Sequence, residues 1–279
     1  MLDKLVTGWI NHFWAADHSI TWLGVEEPLF YWLDPITALV GVSDAHGLNG
    51  EGTAFFGEWK TANPRERETW KQVWRKSPQA LTYGVLHDGV HPGIRTFTVR
   101  KAFKPTSVKG KFAEPSYDHA WFTYDDAELK QWRFQLMEMA HEIRVYRGTN
   151  AKLGQPWPTN FRSCFDYGVK YPCPFFAGCD HQDWNLVPVD AVAVDGRLKT
   201  LPPDARPWGQ EQLSNFSPSG ASNELVVLSA TSVETWLRCR ERYRKHYEVG
   251  LDLPSNEAAD LGRDFHHAIA RHIRSLIKE

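Results

Sequence analysis

The chain is 279 residues long, with 42% apolar and 24% charged residues. That is ordinary globular usage: it excludes wholesale disorder and leaves room for one large or two small domains. Lys and Arg number 32 against 34 Asp and Glu, a formal net charge of −2, so no global basic excess marks a nucleic-acid binder and only local patches could serve. No run approaches the roughly 18 apolar residues of a membrane span, and no signal-like segment opens the sequence. The expectation is a soluble, cytoplasmic protein without a membrane role.

Along the chain, Asp3 to Trp14 has apolar residues at helical spacing. Ile20 to Leu33 reads as extended structure interrupted at Pro28. TALVGVSD (37–44) and TAFFGEWK (53–60) read as two strands joined through the turn residues GLNGEG, a hairpin. Ser77-Pro78 starts a helix over Gln79 to His87, with Ser as the cap and Pro in the first turn. Ile94 to Lys101 and His119 to Tyr124 are strand candidates, and Asp125 caps a long helix to about Arg147. Pro156, Pro158, Pro172 and Pro174 then interrupt regular structure. Residues 183–223, ending in SNFSPSGASN, read as a linker. Two helices follow, Ser232 to Glu248 and Asn256 to Lys278. The expected organisation is a core with a three-cysteine segment (1–182), the linker, and a helical segment (224–279) that packs onto the core.

The chemistry begins in GVSDAHGLNGEGTAFFGEWKTA. Glu58 and Lys60, two apart on a strand, share a face while Trp59 points to the other. Pairing across the turn brings Asp44 to the same edge, so two carboxylates and an ammonium meet. Such a set suits metal-assisted phosphodiester hydrolysis. Asp44, Glu58 and the Trp59 carbonyl offer the oxygen ligands that Mg²⁺ or Mn²⁺ requires, the metal lowers the pKa of an attacking water, and Lys60 orients that water or offsets charge in the transition state. An exposed hairpin of alternating charges gives the same spacing, so the surroundings matter. Gln79 and Tyr83 fall on one face of the following helix, and LGRDFHHAIARHI places His266 four residues after Gly262.

Four cysteines are present, Cys164, Cys173 and Cys179 within sixteen residues and Cys239 far along the chain. In a cytosolic protein this suggests thiolate metal binding before a disulfide, with buried thiols as the plain alternative. Arg65, Arg67, Lys71 and Arg75 alternate with Trp70 and Trp74, Lys101 to Lys111 is a second basic run, and Arg240 and Arg244 lie among aromatics in a third. Each run is a solvated amphipathic face or a track for a phosphate backbone with bases stacked on its aromatics.

Together, Gly41-x-x-Asp44, Glu58-x-Lys60, Gln79-x-x-x-Tyr83 and Gly262-x-x-x-His266 resemble the motifs of the PD-(D/E)XK nuclease superfamily, in its RecB-like branch of AddB-type, CRISPR-associated and phage exonucleases. The resemblance covers about 20–90, 160–180 and 225–270. It implies an α/β fold with a restriction-endonuclease-like core, a small mixed β-sheet flanked by helices, and a cysteine-cluster clasp. It also implies His266, Asp44 and Glu58 as metal ligands, Lys60 as catalytic, and Gln79 and Tyr83 as organising the site or contacting DNA. The activity implied is a Mg²⁺- or Mn²⁺-dependent DNA exonuclease acting on single strands or duplex ends in phage or bacterial recombination, repair or processing, as a homo-oligomer or with a partner protein.

In the iron–sulfur members of that branch one Cys precedes the core and three follow it. Cys239, with Ser229, Ser232 and Tyr243, and the run holding Cys164, Cys173 and Cys179 match those places. A [4Fe–4S] cluster is implied, with structural Zn²⁺ as the alternative. In the family the Cys and G-x-x-x-H segment comes first; here it comes last, which implies a circular permutation joined through 183–223, the alternative being a second, truncated copy or a segment that completes a neighbouring subunit. The rival readings are a catalytically silent DNA-binding subunit of the same fold and a zinc-stapled interaction protein.

Overall fold

The computed structural model describes residues 1–62, 69–105, 107–108, 111–112, 114–153, 157–160, 173, 192–193, 225–248, 251–252 and 257–277. The chain divides into two compact units, one of Met1–Tyr31, Val40–Arg133 and Asn256–Glu279, the other of Trp32–Leu39 and Phe134–Ser255. In chain order the first elements are α1 (Leu2–Ser19), β1 (Thr21–Val25), β2 (Pro28–Asp34), β3 (Thr37–Val42), β4 (Ala45–Leu48) and β5 (Ala54–Ala62). Next come α2 (Trp70–Arg75), α3 (Pro78–Val90), β6 (Thr96–Phe103), the short β7 (Ser107–Val108) and β8 (Lys111–Phe112), β9 (Ser116–Thr123) and α4 (Asp126–Leu153). The later elements are β10 (Val192–Ala193), β11 (Val226–Ser229), α5 (Ala230–Arg238), α6 (Arg240–Tyr243) with a π-helical turn at Arg244–Glu248, β12 (Leu251–Asp252) and α7 (Glu257–Arg274).

The first unit is built on a five-stranded mixed sheet in the order β1-β4-β5-β6-β9. Its pairs are antiparallel except β5 with β6, which run parallel. A parallel pair cannot be closed by a hairpin, and α2 and α3 lie in the connection between these two strands. α3 starts as the sequence predicts: Pro78 opens it, and Ser77 Oγ accepts the Ala80 N–H at 3.1 Å. Alternation along β5 divides its residues between two faces. Phe55 and Trp59 pack with Leu5, Trp9 and Phe13 of α1 and with Phe265, Ile269 and Ile273 of α7 in one buried cluster. On the other face, the His87 ring of α3 stacks on Phe56 at 4.3 Å and Gln79 reaches Glu58.

The expected hairpin is present but displaced. β5 pairs with β4, over Ala45 to Leu48, and not with 37–44, because the strand is broken at Ser43 and Asp44 and β3 joins a different sheet. The turn itself is well specified. Asn49 Oδ1 accepts the Glu51 and Thr53 N–H groups at 3.0 and 2.8 Å, and Gly52 takes φ +77°.

The second unit holds β11 and the Trp32–Leu39 parts of β2 and β3, which form a three-stranded sheet in the order β11-β3-β2, and the Val226 N–H donates to Ile36 O at 2.9 Å. Ser229 and Ser232 form a reciprocal capping box that starts α5. The single helix expected over Ser232–Glu248 is interrupted at Cys239, whose backbone is extended at φ −162° and ψ 120°. The cause is tertiary: the Glu241 N–H donates to Pro158 O at 3.2 Å, outside the helix, and its carboxylate accepts the Trp157 N–H at 3.0 Å. Tyr146, Trp157, Trp236 and Tyr243 surround this break with ring contacts of 5.2–6.3 Å. β10 and β12 pair antiparallel. The expected linker over 183–223 lies outside the described residues except for β10. Among the described residues no helix is long and apolar enough to cross a membrane.

Candidate functional site

Asp44 and Glu58 are placed by the register of β4 and β5. The last pair of that ladder is Ala45 with Gly57. One residue further, Asp44 continues the bonding through its side chain, because the Trp59 N–H donates to Asp44 Oδ2. The Asp44 carbonyl accepts the Glu26 N–H at 3.1 Å. Its other carboxylate oxygen, Oδ1, lies 3.2 Å from His266 Nδ1 on α7, a contact that spans 222 positions of sequence. Glu58 is 3% exposed, and its Oε1 accepts from both Lys60 Nζ and Gln79 Nε2, the latter at 3.0 Å. Its Oε2 is buried without a hydrogen-bond partner.

Tyr83, one turn beyond Gln79, donates to Val42 O at 2.9 Å. Gly41 permits that approach: a Cβ there would stand 2.9 Å from Leu86 Cδ2 and 3.0 Å from Tyr83 Cε1. The structure therefore brings Asp44, Glu58, Lys60, Gln79 and His266 into one connected set of hydrogen bonds, with Tyr83 bonded to the strand end beside it. Trp59 is tied to the set by its amide, and its indole is buried on the opposite face with Trp9 and Trp22.

The electrostatics follow from burial. Desolvation, then the neighbouring Asp44 charge, push the Glu58 carboxyl up to about 7 against the opposing pull of Lys60 and His266. The Tyr83 hydroxyl is held well above the ordinary phenol range by burial and by the Glu58 and Asp44 charges, so it acts as a neutral donor.

Two carboxylates and an imidazole are a donor set that suits a hard divalent cation. The unpartnered Glu58 Oε2 is an acceptor that such an ion would satisfy. The protein side chains are otherwise engaged with one another: among the described residues no three His, Cys, Asp or Glu side chains are arranged to hold a metal ion.

The basic candidates are tied up in ion pairs. Lys71 pairs with Asp118 at 2.9 Å, and Arg75 with Glu128 at 3.1 Å. Arg240 pairs with Glu142 at 3.5 Å, and Arg244 with the buried Glu241 at 2.6 Å. Arg65 and Arg67 lie outside the described residues, as do Cys164 and Cys179. Cys173 is half-buried and Cys239 is buried.

Two further residues adjoin the set, and their place beside it was not read from the sequence. Lys101 is the parallel partner of Lys60 in the sheet register and is buried, 5.6 Å from the centre of the Trp74 ring that Lys60 approaches at 5.9 Å. His87 and Ser43 are both buried, with His87 Nε2 3.1 Å from Ser43 Oγ. The signal for His87 was its place four residues beyond Tyr83; Lys101 was visible as part of the basic run 101–111, and only the strand register sets it beside Lys60.

No curated protein matches the chain. Residues 227–279, which carry Cys239, Gly262 and His266 but not Asp44, Glu58 or Lys60, match the family model of the PD-(D/E)XK nuclease superfamily. The mixed α/β architecture with helices flanking its sheets is consistent with the restriction-endonuclease-like fold of that superfamily, and the match points to nuclease activity in general.

Proposed function

We propose that the protein is a Mg²⁺- or Mn²⁺-dependent DNA exonuclease of the RecB-like type, acting in phage or bacterial DNA recombination, repair or processing. The observation that carries this reading is the hydrogen-bonded convergence of His266 with Asp44, and of Lys60 and Gln79 with Glu58.

A bound divalent ion would supply Lewis acidity at the phosphate and lower the pKa of the attacking water. Asp44, Glu58 and His266 would hold it, with the Trp59 carbonyl as a further ligand. The chain's own groups do the rest. Gln79 fixes Glu58 through Oε1. Glu58 must give up its proton to act as a ligand; burial and the Asp44 charge raise its pKa in the metal-free chain, and a bound cation would favour the ionised form. Lys60, on the same strand face as Glu58, steadies negative charge at the reacting phosphate or orients the water. Lys71 and Arg75 exchange their carboxylate partners for DNA phosphates in this reading, Arg240 and Arg244 are separate phosphate contacts in the other unit, and Arg65 and Arg67 are proposed as further contacts from the sequence.

Cys164, Cys173, Cys179 and Cys239 would hold a [4Fe–4S] cluster, with structural Zn²⁺ as the alternative; the burial of Cys239 at a helix break supports a structural part for it. The motif order reflects circular permutation, supported by a hydrogen-bond contact between residues 222 positions apart.

The test is digestion of end-labelled single- and double-stranded linear DNA with Mn²⁺, Mg²⁺ or EDTA. Metal-dependent loss from the ends is expected, falling by at least about a hundredfold in Glu58→Ala and Lys60→Ala. Wild-type rates in both variants would overturn the assignment. DNA binding without cleavage by the wild type would select the silent binding subunit.

A further inference from the structure

The stripe of α3 that carries Gln79 and Tyr83 continues one turn further to His87. Residues four apart on a helix lie over one another, and these three each reach a hydrogen-bond partner at the site or at the strand end beside it. Gln79 donates to Glu58 Oε1 at 3.0 Å, Tyr83 to Val42 O at 2.9 Å, and His87 Nε2 stands 3.1 Å from Ser43 Oγ. Val42 and Ser43 are the two residues that precede Asp44.

Asp44 is also held by the Trp59 and Glu26 amides and by His266, but Ser43 belongs to no strand. β3 ends at Val42 and β4 begins at Ala45, so Ser43 and Asp44 fall between two ladders. Both members of the Ser43–His87 pair are buried, at 2% and 0% exposure, in a setting where a polar group finds no water to replace a lost partner. The His87 ring is itself fixed, stacked within 5° of parallel on Phe56, two residues before Glu58 on β5. Burial among His46 and His91 holds the ring neutral at about 3, so it offers Ser43 a hydrogen bond without a charge.

We infer that His87 is a positioning residue for Asp44, acting through the Ser43 hydroxyl and completing a three-residue row, Gln79–Tyr83–His87, that sets both carboxylates of the site. This rests on the nuclease reading for its catalytic consequence but not for its geometry. The carboxylate of Asp44 accepts the Trp59 N–H, so the protection of that one amide reports where Asp44 stands whether or not the protein cuts DNA.

The experiment compares wild type with His87→Phe, which keeps the ring stack on Phe56, and with His87→Gln, which restores a polar atom at the Nε2 position. Ser43→Ala and the Ser43→Ala/His87→Phe double variant complete the set. Amide hydrogen exchange is read in metal-free protein, and cleavage kinetics with Mn²⁺. Trp59 exchange should quicken by about tenfold in His87→Phe and Ser43→Ala relative to neighbouring β5 amides, and no further in the double variant. The kcat should fall by roughly ten- to a hundredfold with the KM for DNA unchanged, and His87→Gln should recover most of both losses.

Unchanged Trp59 exchange in His87→Phe, or an equal rise across all sheet amides, overturns the inference, as does a double variant whose effects simply add. Should His87→Phe not fold, Ser43→Ala carries the same decision alone. A wild type that never cleaves DNA would defeat the nuclease reading, while the amide-exchange result would still decide the role of His87.

Discussion

Glu58 sits in the middle of β5, enclosed by strands on both sides and by α3, and its ionisation is coupled to folding. Its pKa rises from the ordinary 4.5 to about 7 in the folded chain. Between those values the folded state holds a proton that the unfolded state releases. The Glu58 contribution to stability is therefore full below about pH 4.5 and is lost as pH rises through about 7, with an amplitude on the order of a few kcal/mol. Denaturant unfolding in EDTA at pH 5 and pH 8 should show wild type losing stability relative to Glu58→Gln as pH rises; a constant difference would refute it. His87 has the opposite sign. Its pKa is depressed from 6.5 to about 3 by burial and by His46 and His91, so its contribution is present above pH 6.5 and is lost as pH falls. His87→Phe should be less sensitive to acid than wild type between pH 6.5 and 4, measured by the same unfolding experiment. Equal acid sensitivity of the two proteins would contradict this.

At the scale of elements, the site's two motif glycines have different physical meanings, and they make a matched test. A Cβ at Gly41 would lie 2.9 Å from Leu86 and 3.0 Å from Tyr83, against a helix whose side chains are packed. Gly41→Ala should cost about 1–3 kcal/mol through overpacking. At Gly262, within α7, the nearest outside atom is Thr61 Oγ1 at 3.7 Å, so Gly262→Ala should gain up to ~1 kcal/mol from helix propensity. Urea midpoints decide the pair, and equal shifts would contradict it. The same contrast explains what was legible in the sequence. α3, with its Ser77-Pro78 start and its Gln79 and Tyr83 on one stripe, was readable because helical period and capping are local. So was the β5 face shared by Glu58 and Lys60. The break at Ser43 and Asp44 was not, because it depends on bonds from Tyr83 and His87 about 40 residues away. Nor was the extended backbone at Cys239, which follows from Pro158 capturing the Glu241 amide. The basic residues read as a DNA track were visible as charges, but their carboxylate partners, 47 residues off for Lys71 and 53 for Arg75, were not.

For the whole molecule, the consequential feature is that α7 belongs to the unit whose other residues lie at the opposite end of the sequence. Phe265, Ile269, Ala270 and Ile273 share one buried cluster with Leu5, Trp9 and Phe13 of α1 and with Trp59 of β5. Leu2, near the first residue, and Leu276 and Ile277, near the last, pack against that same cluster. Joining residue 279 to residue 1 through a short Gly/Ser linker is therefore compatible with the packing of this unit, and chain order should matter less than the presence of α7. A rearranged chain running 224–279, linker, 1–182 should fold, melt within a few degrees of the original, and cleave DNA at a comparable rate. Deleting residues 257–279 should instead abolish the fold, since each large apolar side chain withdrawn from a packed core costs about 2–5 kcal/mol. Circular dichroism melts and the DNA digestion assay read both outcomes. A rearranged chain that stays unfolded beside a folded original would remove circular permutation as the explanation of the motif order, because a permuted fold must tolerate its own elements in the other sequence.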